Sequence, residues 1–373
     1  MKFIHINILI LFVTFHFSQN QKIVKNVIRF ISGTSKILVS FGTPKRPFFI
    51  DIDLVHNYSM LVYPIIVNTT SPTLKIYNKS SIINNSISVK GHLMQESFII
   101  SDKNNEIIEE FFFYYIHDNK ITKEGTLSFS IENDDEKLSI LHQLSKKGYI
   151  EKKQFGIISG INEKMGTIYF GGIPKGILIN KYETKIKVND QFNLWGFTLN
   201  SIIIHEQVYP MNVHIYFDIS YREMQVPIKF MDFLNNEIFK PYFRNNSCSI
   251  LKTNVYECLC EHITKFPSIV LVFEGKQFMF NYHTLFDFSG QFCYFMMKVN
   301  EKNQNEWIIG SSIFKGYMVL FDSDNKIISF YSSNPILEKN KKRYLLVPLY
   351  ILLILSLFIL TILLIGVKIK LGK

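Results

Sequence analysis

The sequence predicts an all-β fold with two short helices, and three features of the chain support this prediction. Short runs of Val, Ile, Phe and Tyr recur along the middle of the chain, and Gly, Asn, Asp or Pro interrupts them about every ten residues. Two stretches, 136–148 and 227–239, have the apolar spacing and the boundary residues of short helices. The segment between the hydrophobic ends contains no long low-complexity linker, and its length suits two lobes or one large all-β domain.

The first element is a hydrophobic N-terminus. Lys2 precedes a mostly apolar stretch at 4–17, and the chain then turns polar at 18–20. This pattern predicts a secretory signal peptide over residues 1–21, because the apolar core is short for a membrane span. The alternative is a signal anchor that is retained.

The central segment follows, and it shows a loose repetition between its two halves. An apolar strand that ends in aspartate occurs at 48–53 and again at 213–218, so each half offers one carboxylate, Asp53 and Asp218. The predicted strands include 37–41, 48–52, 60–67, 111–116, 167–170, 197–204, 269–273 and 318–321.

The last element is an uncharged run, rich in Leu and Ile, at residues 344–367. Its length and uniform apolarity predict a transmembrane helix, after a basic linker at 334–343 and before a short cytosolic tail at 368–373. With a signal peptide, this predicts a type I membrane protein with lumenal or extracellular lobes, at the cell surface or in an endolysosomal compartment. The basic linker opposes the positive-inside tendency. A lipid-anchor signal is the alternative, and the basic tail argues against it.

The net charge of +10 is dispersed and forms no basic stripe with interleaved aromatic residues, which argues against nucleic-acid binding. The four cysteines, an even number in a secreted segment, predict two disulfides with three possible pairings. A zinc site is the competing interpretation, but the spacings fit no zinc pattern. Glycosylation is predicted at four of the five acceptor sequons, with Asn57 left out because it lies close to Asp53; the four are Asn68, Asn78, Asn84 and Asn245.

Several blocks of sequence occur in an order and spacing that identify a family. Gly42-Thr43-Pro44 precedes the strand to Asp53, and Gly91 with 93–95 follows a predicted hairpin that contains Tyr77. Further blocks lie at 138–155, 166–173, 197–202, 260–293, 307–310 and 321–330. Together, over 36–332, they closely resemble the pepsin-like aspartic peptidases.

The resemblance implies a bilobal fold, with an N-terminal lobe over 36–184 and a C-terminal lobe over 185–333. A peptide or protein substrate would lie in the cleft between these two β-barrel-like lobes. Asp53 and Asp218 would share one proton and activate a water at acidic pH, with no metal and no cofactor. Tyr77 would be the tyrosine of the flap over the cleft, or only an aromatic residue of a hairpin. The resemblance also implies a disulfide between Cys260 and Cys293, and with it one between Cys248 and Cys258.

Both catalytic motifs depart from the family's Asp-Thr/Ser-Gly pattern. They read Asp53-Leu54-Val55 and Asp218-Ile219-Ser220, and Ser128 replaces a packing glycine that Gly310 keeps in the second half. One hypothesis is a membrane-anchored aspartic endopeptidase homologue with lost or strongly reduced activity. The other is a non-catalytic glycoprotein that binds peptides or a protein partner, in which both aspartates are strand-end carboxylates bonded to loop amides.

Overall fold

The structure is a computed structural model. It describes residues 22–31, 34–56, 59–62, 71–85, 87–100, 107–116, 125–131, 138–159, 165–189, 194–251, 254–301, 303, 305–333 and 337–338.

Strands dominate the described residues, which confirms the all-β prediction. The strands are β1 (Val24–Ile31), β2 (Thr34–Phe41), β3 (Arg46–Asp53), β4 (Met60–Val62), β5 (Lys75–Asn85), β6 (Ile87–Ile99), β7 (Ile107–Ile116), β8 (Gly125–Ser128), β9 (Gln154–Ser159), β10 (Met165–Phe170), β11 (Tyr182–Lys187), β12 (Gly196–Ile204), β13 (Gln207–Phe217), β14 (Met224–Val226), β15 (Cys248–Ile250), β16 (Tyr256–Leu259), β17 (Ile269–Phe273), β18 (Lys276–Phe280), β19 (Phe286–Ser289), β20 (Phe292–Phe295), β21 (Met297–Val299), β22 (Trp307–Ile309), β23 (Met318–Asp322), β24 (Ile327–Ser332) and β25 (Leu337–Glu338).

The helices are short. They are α1 (Ile140–Lys146), α2 (Lys175–Leu178), α3 (Ile228–Leu234), a π-helix (Asn235–Phe239), α4 (Lys240–Arg244), α5 (Tyr282–Leu285) and two 3-10 helices (Ile263–Lys265 and Ser311–Lys315). The two helices predicted from sequence are confirmed as α1 and as the continuous run of α3 with the π-helix.

The described strands form three sheets. The largest has the order β11-β24-β23-β9-β10-β1-β2-β3-β8-β4-β7-β6-β5, the second β21-β14-β22-β13-β12-β17-β18-β25, and the third β15-β16-β20-β19. β9 from the first half pairs with β23 from the second, so the largest sheet joins the two halves of the chain. The ordered sheet begins with β1, upstream of the predicted lobe boundary at residue 36.

A four-strand arrangement occurs twice, once in each half. In the first half β3 is parallel to β8, β8 antiparallel to β4, and β4 parallel to β7. In the second half β13, β22, β14 and β21 repeat the same order and the same directions. The two strands that lead to the aspartates, β3 and β13, are therefore equivalent elements of a repeated topology.

The core is aromatic where the halves meet. Strands such as β2 alternate between buried and half-buried residues, as expected for a sheet with one face in a core. The rings of Phe155 from the first half and Phe321 from the second stack at 4.6 Å. Trp195 is fully buried and meets Phe321 edge-on at 5.2 Å. Aromatic burial of this kind fixes the two repeated motifs relative to each other.

Two disulfides lie in the small sheet, and both have the predicted partners. Cys248 is bonded to Cys258, and Cys260 to Cys293. The first joins β15 to β16, and the second joins the residue directly after β16 to β20, so three neighbouring strands are covalently linked.

Several predictions concern parts of the chain beyond the described residues: the signal peptide at 1–21, Asn68, the transmembrane helix at 344–367 and the tail at 368–373. The linker at 334–343 is described only at 337–338, and β5 carries Asn78 and Asn84. Asn245 is exposed directly after α4. Within the described ranges, no helix is both long and apolar enough to cross a membrane.

Candidate active site

Asp53 is the last residue of β3, and its position is fixed by pairing with β8. The parallel register places Asp53 beside Ser128. The last four residues of β3 are buried, and Asp53 itself is only 8% exposed. A strand that is buried on both faces therefore delivers the carboxyl group into the interior.

The loop after β3 folds back onto the Asp53 carboxylate. One oxygen, Oδ1, accepts the backbone N–H groups of Val55 and His56, both at 2.9 Å. The other, Oδ2, lies 2.7 Å from Nδ1 of His56. Burial raises the pKa of the Asp53 carboxyl, but the hydrogen bond and charge of His56 and the two backbone N–H groups outweigh it, so the pKa is lowered.

His56 is a functional candidate that the sequence analysis missed. Its side chain is 41% exposed, so the ring joins the buried carboxylate to the surface. An aspartate commonly accepts backbone N–H groups from two and three residues on, and an imidazole at the third residue is then within reach of the second oxygen. The Asp-x-x-His spacing was the available signal.

Ser128, at the position of the family's packing glycine, also fastens this loop. Its side chain is fully buried and its Oγ donates to the His56 carbonyl at 2.6 Å. Its backbone N–H donates to Oγ of Ser59 at 3.0 Å. Ser128 therefore connects the loop after Asp53 to β8 by two hydrogen bonds within the first half.

The residues after the two aspartates are aliphatic and wholly buried. Leu54 and Ile219 are both 0% exposed. Leu54 and Ile219 therefore supply packing at these positions but no side-chain hydrogen bond.

Asp218 follows β13 in the second motif and is half-buried. Its N–H donates to the Ile309 carbonyl at 3.1 Å. Its Oδ1 accepts the N–H of Ser220 at 3.0 Å and the Oγ of the same residue at 2.6 Å. The pKa of nearby Tyr216 is raised by burial and by the negative charges of Glu306 and Asp218.

Gly310 holds the second loop by close backbone approach. A Cβ on this residue would lie 2.2 Å from the Glu223 carbonyl oxygen and 2.8 Å from that of Arg222. The N–H groups of Ser311 and Ser312 donate to the carbonyls of Tyr221 and Arg222, both at 2.9 Å. This glycine is therefore required sterically, as the sequence pattern predicted.

A chain of hydrogen bonds connects the two aspartate strands. The Asp53 carbonyl accepts the Phe129 N–H at 2.8 Å, and the Phe129 carbonyl accepts the Trp195 indole N–H at 2.7 Å. The Trp195 carbonyl in turn accepts the N–H of Phe217, the residue before Asp218, at 2.9 Å. The two halves thus present their aspartates from equivalent, mutually linked positions.

The sequence model of the eukaryotic aspartyl protease family matches residues 71–332. The chain belongs to this family. The match includes Asp218, Gly310 and all four cysteines, and it begins downstream of Asp53. No curated protein is significantly similar to the chain in sequence.

In this aspartyl protease homologue Tyr77 lies on β5, in the β5–β6 hairpin where the flap was predicted. Its hydroxyl donates to Oε1 of Gln95 at 2.6 Å, and its ring lies 6.0 Å from that of Phe112. The side chain is 38% exposed. The residue is thus anchored to its own hairpin and still presents part of its ring to solvent.

The second loop of the homologue also carries a charged cluster that the sequence analysis missed. Asp287 on β19 accepts a hydrogen bond from Arg222 through Oδ2 and from Lys315 through Oδ1, the latter at 2.7 Å. Burial raises the Asp287 pKa, but the two cations outweigh it and the pKa is lowered. Burial also lowers the pKa of Lys315, although Asp287 opposes this. The cluster ties the loop after Asp218 to β19 and to the 3-10 helix Ser311–Lys315.

Among the described residues, no three His, Cys, Asp or Glu side chains lie together as ligands for a metal ion.

Proposed function

We propose that this chain is a membrane-anchored aspartyl protease homologue of the secretory pathway whose peptidase activity is lost or strongly reduced. One observation carries the proposal: the carboxylate of Asp53 is enclosed by its own loop, with Oδ1 on two backbone N–H groups and Oδ2 on the ring of His56.

Peptide hydrolysis by a carboxylate pair needs an oxygen that can accept a proton from the attacking water. The oxygen of Asp53 that does not face the loop amides is bonded to His56 instead. At the acidic pH at which such a pair works, an imidazole is protonated. A carboxylate held by an imidazolium is a weaker base toward water than one that faces only a second carboxylic acid.

The support beneath the carboxylates is also altered. Buried Leu54 and Ile219 replace the hydroxyls that cross-link the two loops in the family, and Val55 and Ser220 replace its glycines. A displacement of a reacting group by about 1 Å can cost roughly a hundredfold in rate. These substitutions should therefore lower the rate of peptide hydrolysis, as the contact of His56 with Asp53 should.

Binding of a peptide or protein segment between the lobes is the function we propose in place of cleavage. The β5–β6 hairpin is present, and Tyr77 on it is partly exposed and anchored by Gln95. Binding depends on such hairpin surfaces and on main-chain pairing, and neither requires a working carboxylate pair.

The location of the protein in the secretory pathway is proposed from the two ends of the sequence. The apolar run at 344–367 favours a membrane anchor and the N-terminal segment a signal peptide. The two disulfides support an oxidising compartment.

The test uses the full chain in lipid nanodiscs and a mixed peptide library between about pH 3 and 6. Mass spectrometry reports cleavage, and a parallel pull-down reports peptides that are retained. We expect retained peptides and turnover at least a hundredfold below that of an active family member.

The controls are Asp53→Asn and Asp218→Asn. Cleavage by the natural chain that pepstatin blocks, and that either variant abolishes, would refute the loss of activity. If neither cleavage nor retention of any peptide occurs, the binding function in the cleft is wrong.

A further inference from the structure

An exposed apolar segment follows β10, over residues 175–182, and we call it the basal segment. Its helix α2 has no buried residue. Ile179 is 67% exposed, the most exposed of the large apolar side chains that the structure describes, and Tyr182 is 51% exposed. Two strongly exposed apolar side chains within four residues make this segment a candidate contact surface.

The basal segment lies beside the end of β24, the last long strand that the structure describes. Tyr182 pairs with Ser332 in the register of β11 and β24. Lys181 Nζ donates to Ser333 Oγ at 2.6 Å. The basal segment is therefore adjacent to the point from which residues 334–373 continue.

The continuation stays close to this region. β25 pairs with the start of β18, and Lys276 at that start donates to the carbonyl of Lys185 on β11. Residues 339–343 separate β25 from the apolar run at 344–367. Five residues span at most about 18 Å. The apolar run therefore begins within that reach of β25, which lies beside the end of β18 that contacts β11.

The charges around the segment are those of a lipid interface. Lys175 and Lys181 flank its apolar residues, and the linker adds Lys339, Lys341 and the pair at 342–343, also basic. Apolar side chains with a tyrosine, bordered by lysines, are typical of protein surfaces that lie at the level of lipid headgroups.

We propose that the basal segment rests in the headgroup layer of the membrane that residues 344–367 span, so that the two lobes lie against the lipid. The inference rests on the membrane anchor of the proposed function.

Tryptophan fluorescence can test this contact in the full chain, reconstituted in phosphatidylcholine vesicles with one-fifth phosphatidylserine. The two natural tryptophans, Trp195 and Trp307, are buried in the protein and give a constant background. Ile179→Trp and Tyr182→Trp report on the basal segment. Ile250→Trp on β15 and Met279→Trp on β18, at positions 48% and 53% exposed, are the controls. Met279 lies on the strand that pairs with β25, so it also tests the competing surface beside the same continuation.

Phosphatidylcholine with brominated acyl chains then serves as the quencher. We expect several-fold stronger quenching and a blue-shifted emission for Ile179→Trp and Tyr182→Trp than for either control. Quenching of both reporters no stronger than that of Ile250→Trp would overturn the proposal. Stronger quenching of Met279→Trp would overturn it too, because the outer face of β18 would then be the surface on the lipid.

Carbonate extraction of the same vesicles separates this inference from the anchor on which it rests. A chain that stays in the vesicles while its basal reporters remain unquenched refutes the contact and leaves the anchor standing. A chain that carbonate removes refutes the anchor, and the membrane contact with it.

Discussion

The loops after Asp53 and Asp218 occupy the same position in a repeated four-strand motif, yet different interactions hold them. The first loop is closed by side chains: His56 bonds to the carboxylate, and Ser128 bonds to the backbone of His56. The second loop is closed by its backbone, which packs directly against Gly310, by the Ser220 hydroxyl on the Asp218 carboxylate, and by a charged cluster at Arg222. The first loop has thus diverged further from the family than the second.

The difference shows how two equivalent loops can be held by different contacts in one fold. In the first half Ser128 stands where the second half has Gly310, and its buried hydroxyl donates to the carbonyl of His56. A buried polar group that is satisfied costs little stability. The contacts that hold the first loop also include the Asp53 carboxylate itself, through the ring of His56.

Substitution of Gly310 and of Ser128, which occupy equivalent positions, should give the largest difference in the free energy of unfolding. Gly310→Ala places a Cβ 2.2 Å from a backbone carbonyl, and overpacking against rigid backbone should lower the free energy of unfolding by about 3 kcal/mol. Ser128→Gly removes one satisfied hydroxyl and should cost only about 1 kcal/mol. Urea unfolding of the purified chain in detergent measures both.

Equal losses at the two positions would contradict this comparison. They would mean that the first loop depends on its serine as strictly as the second depends on its glycine.

Neutralisation of the charged cluster is expected to have the next largest effect. Asp287→Asn leaves Lys315, with a side chain only 9% exposed, without its carboxylate. Removing one partner of a buried pair is strongly destabilising, but Arg222 is 38% exposed and solvent screens part of the loss, so about 2 kcal/mol is expected. The measurement is again the urea midpoint near neutral pH.

The control is Glu110→Gln, which removes an exposed carboxylate that also bonds two lysines, Lys75 and Lys147. No measurable change is expected there. A loss as large for Glu110→Gln as for Asp287→Asn would show that burial does not distinguish the two clusters.

The sequence predicted those parts of the site that follow from local pattern and from order along the chain. The ends of two strands predicted that Asp53 and Asp218 occupy equivalent positions. The family resemblance predicted that Gly310 is the packing glycine of the second half. The disulfide partners followed from the family resemblance. Each of these features depends on residue types at fixed spacing, which one sequence displays.

The interactions that hold the loops could not be predicted in the same way. The contact of Ser128 with His56 joins residues that are 72 positions apart, and Arg222 and Asp287 are 65 apart. Such pairs exist only once β8 lies beside β3, or β19 beside the second loop. His56 was closer to prediction, because its bond to Asp53 is local, but the ring reaches Oδ2 only in this loop conformation.

The smallest expected effect concerns His56 and depends on pH. The folded-state pKa of Asp53 lies below its ordinary value of 3.8, so its ionised form stabilises the fold above that value, and the contribution disappears as pH falls through the folded pKa. His56→Ala removes one of the causes of the low pKa. It should lower the free energy of unfolding by about 1 kcal/mol at pH 5 and by much less at pH 2.5.

Urea unfolding of the natural chain and of His56→Ala at the two pH values measures this difference. His262→Ala is the matched control, because His262 also lies near a carboxylate, that of Glu261 at 3.4 Å, but both side chains are exposed. It should change stability little at either pH, since solvent screens an exposed pair. If the penalty for His56→Ala were the same at pH 2.5 as at pH 5, the ring would stabilise the first loop by packing alone. The ion pair would then not be what separates the Asp53 loop from the Asp218 loop.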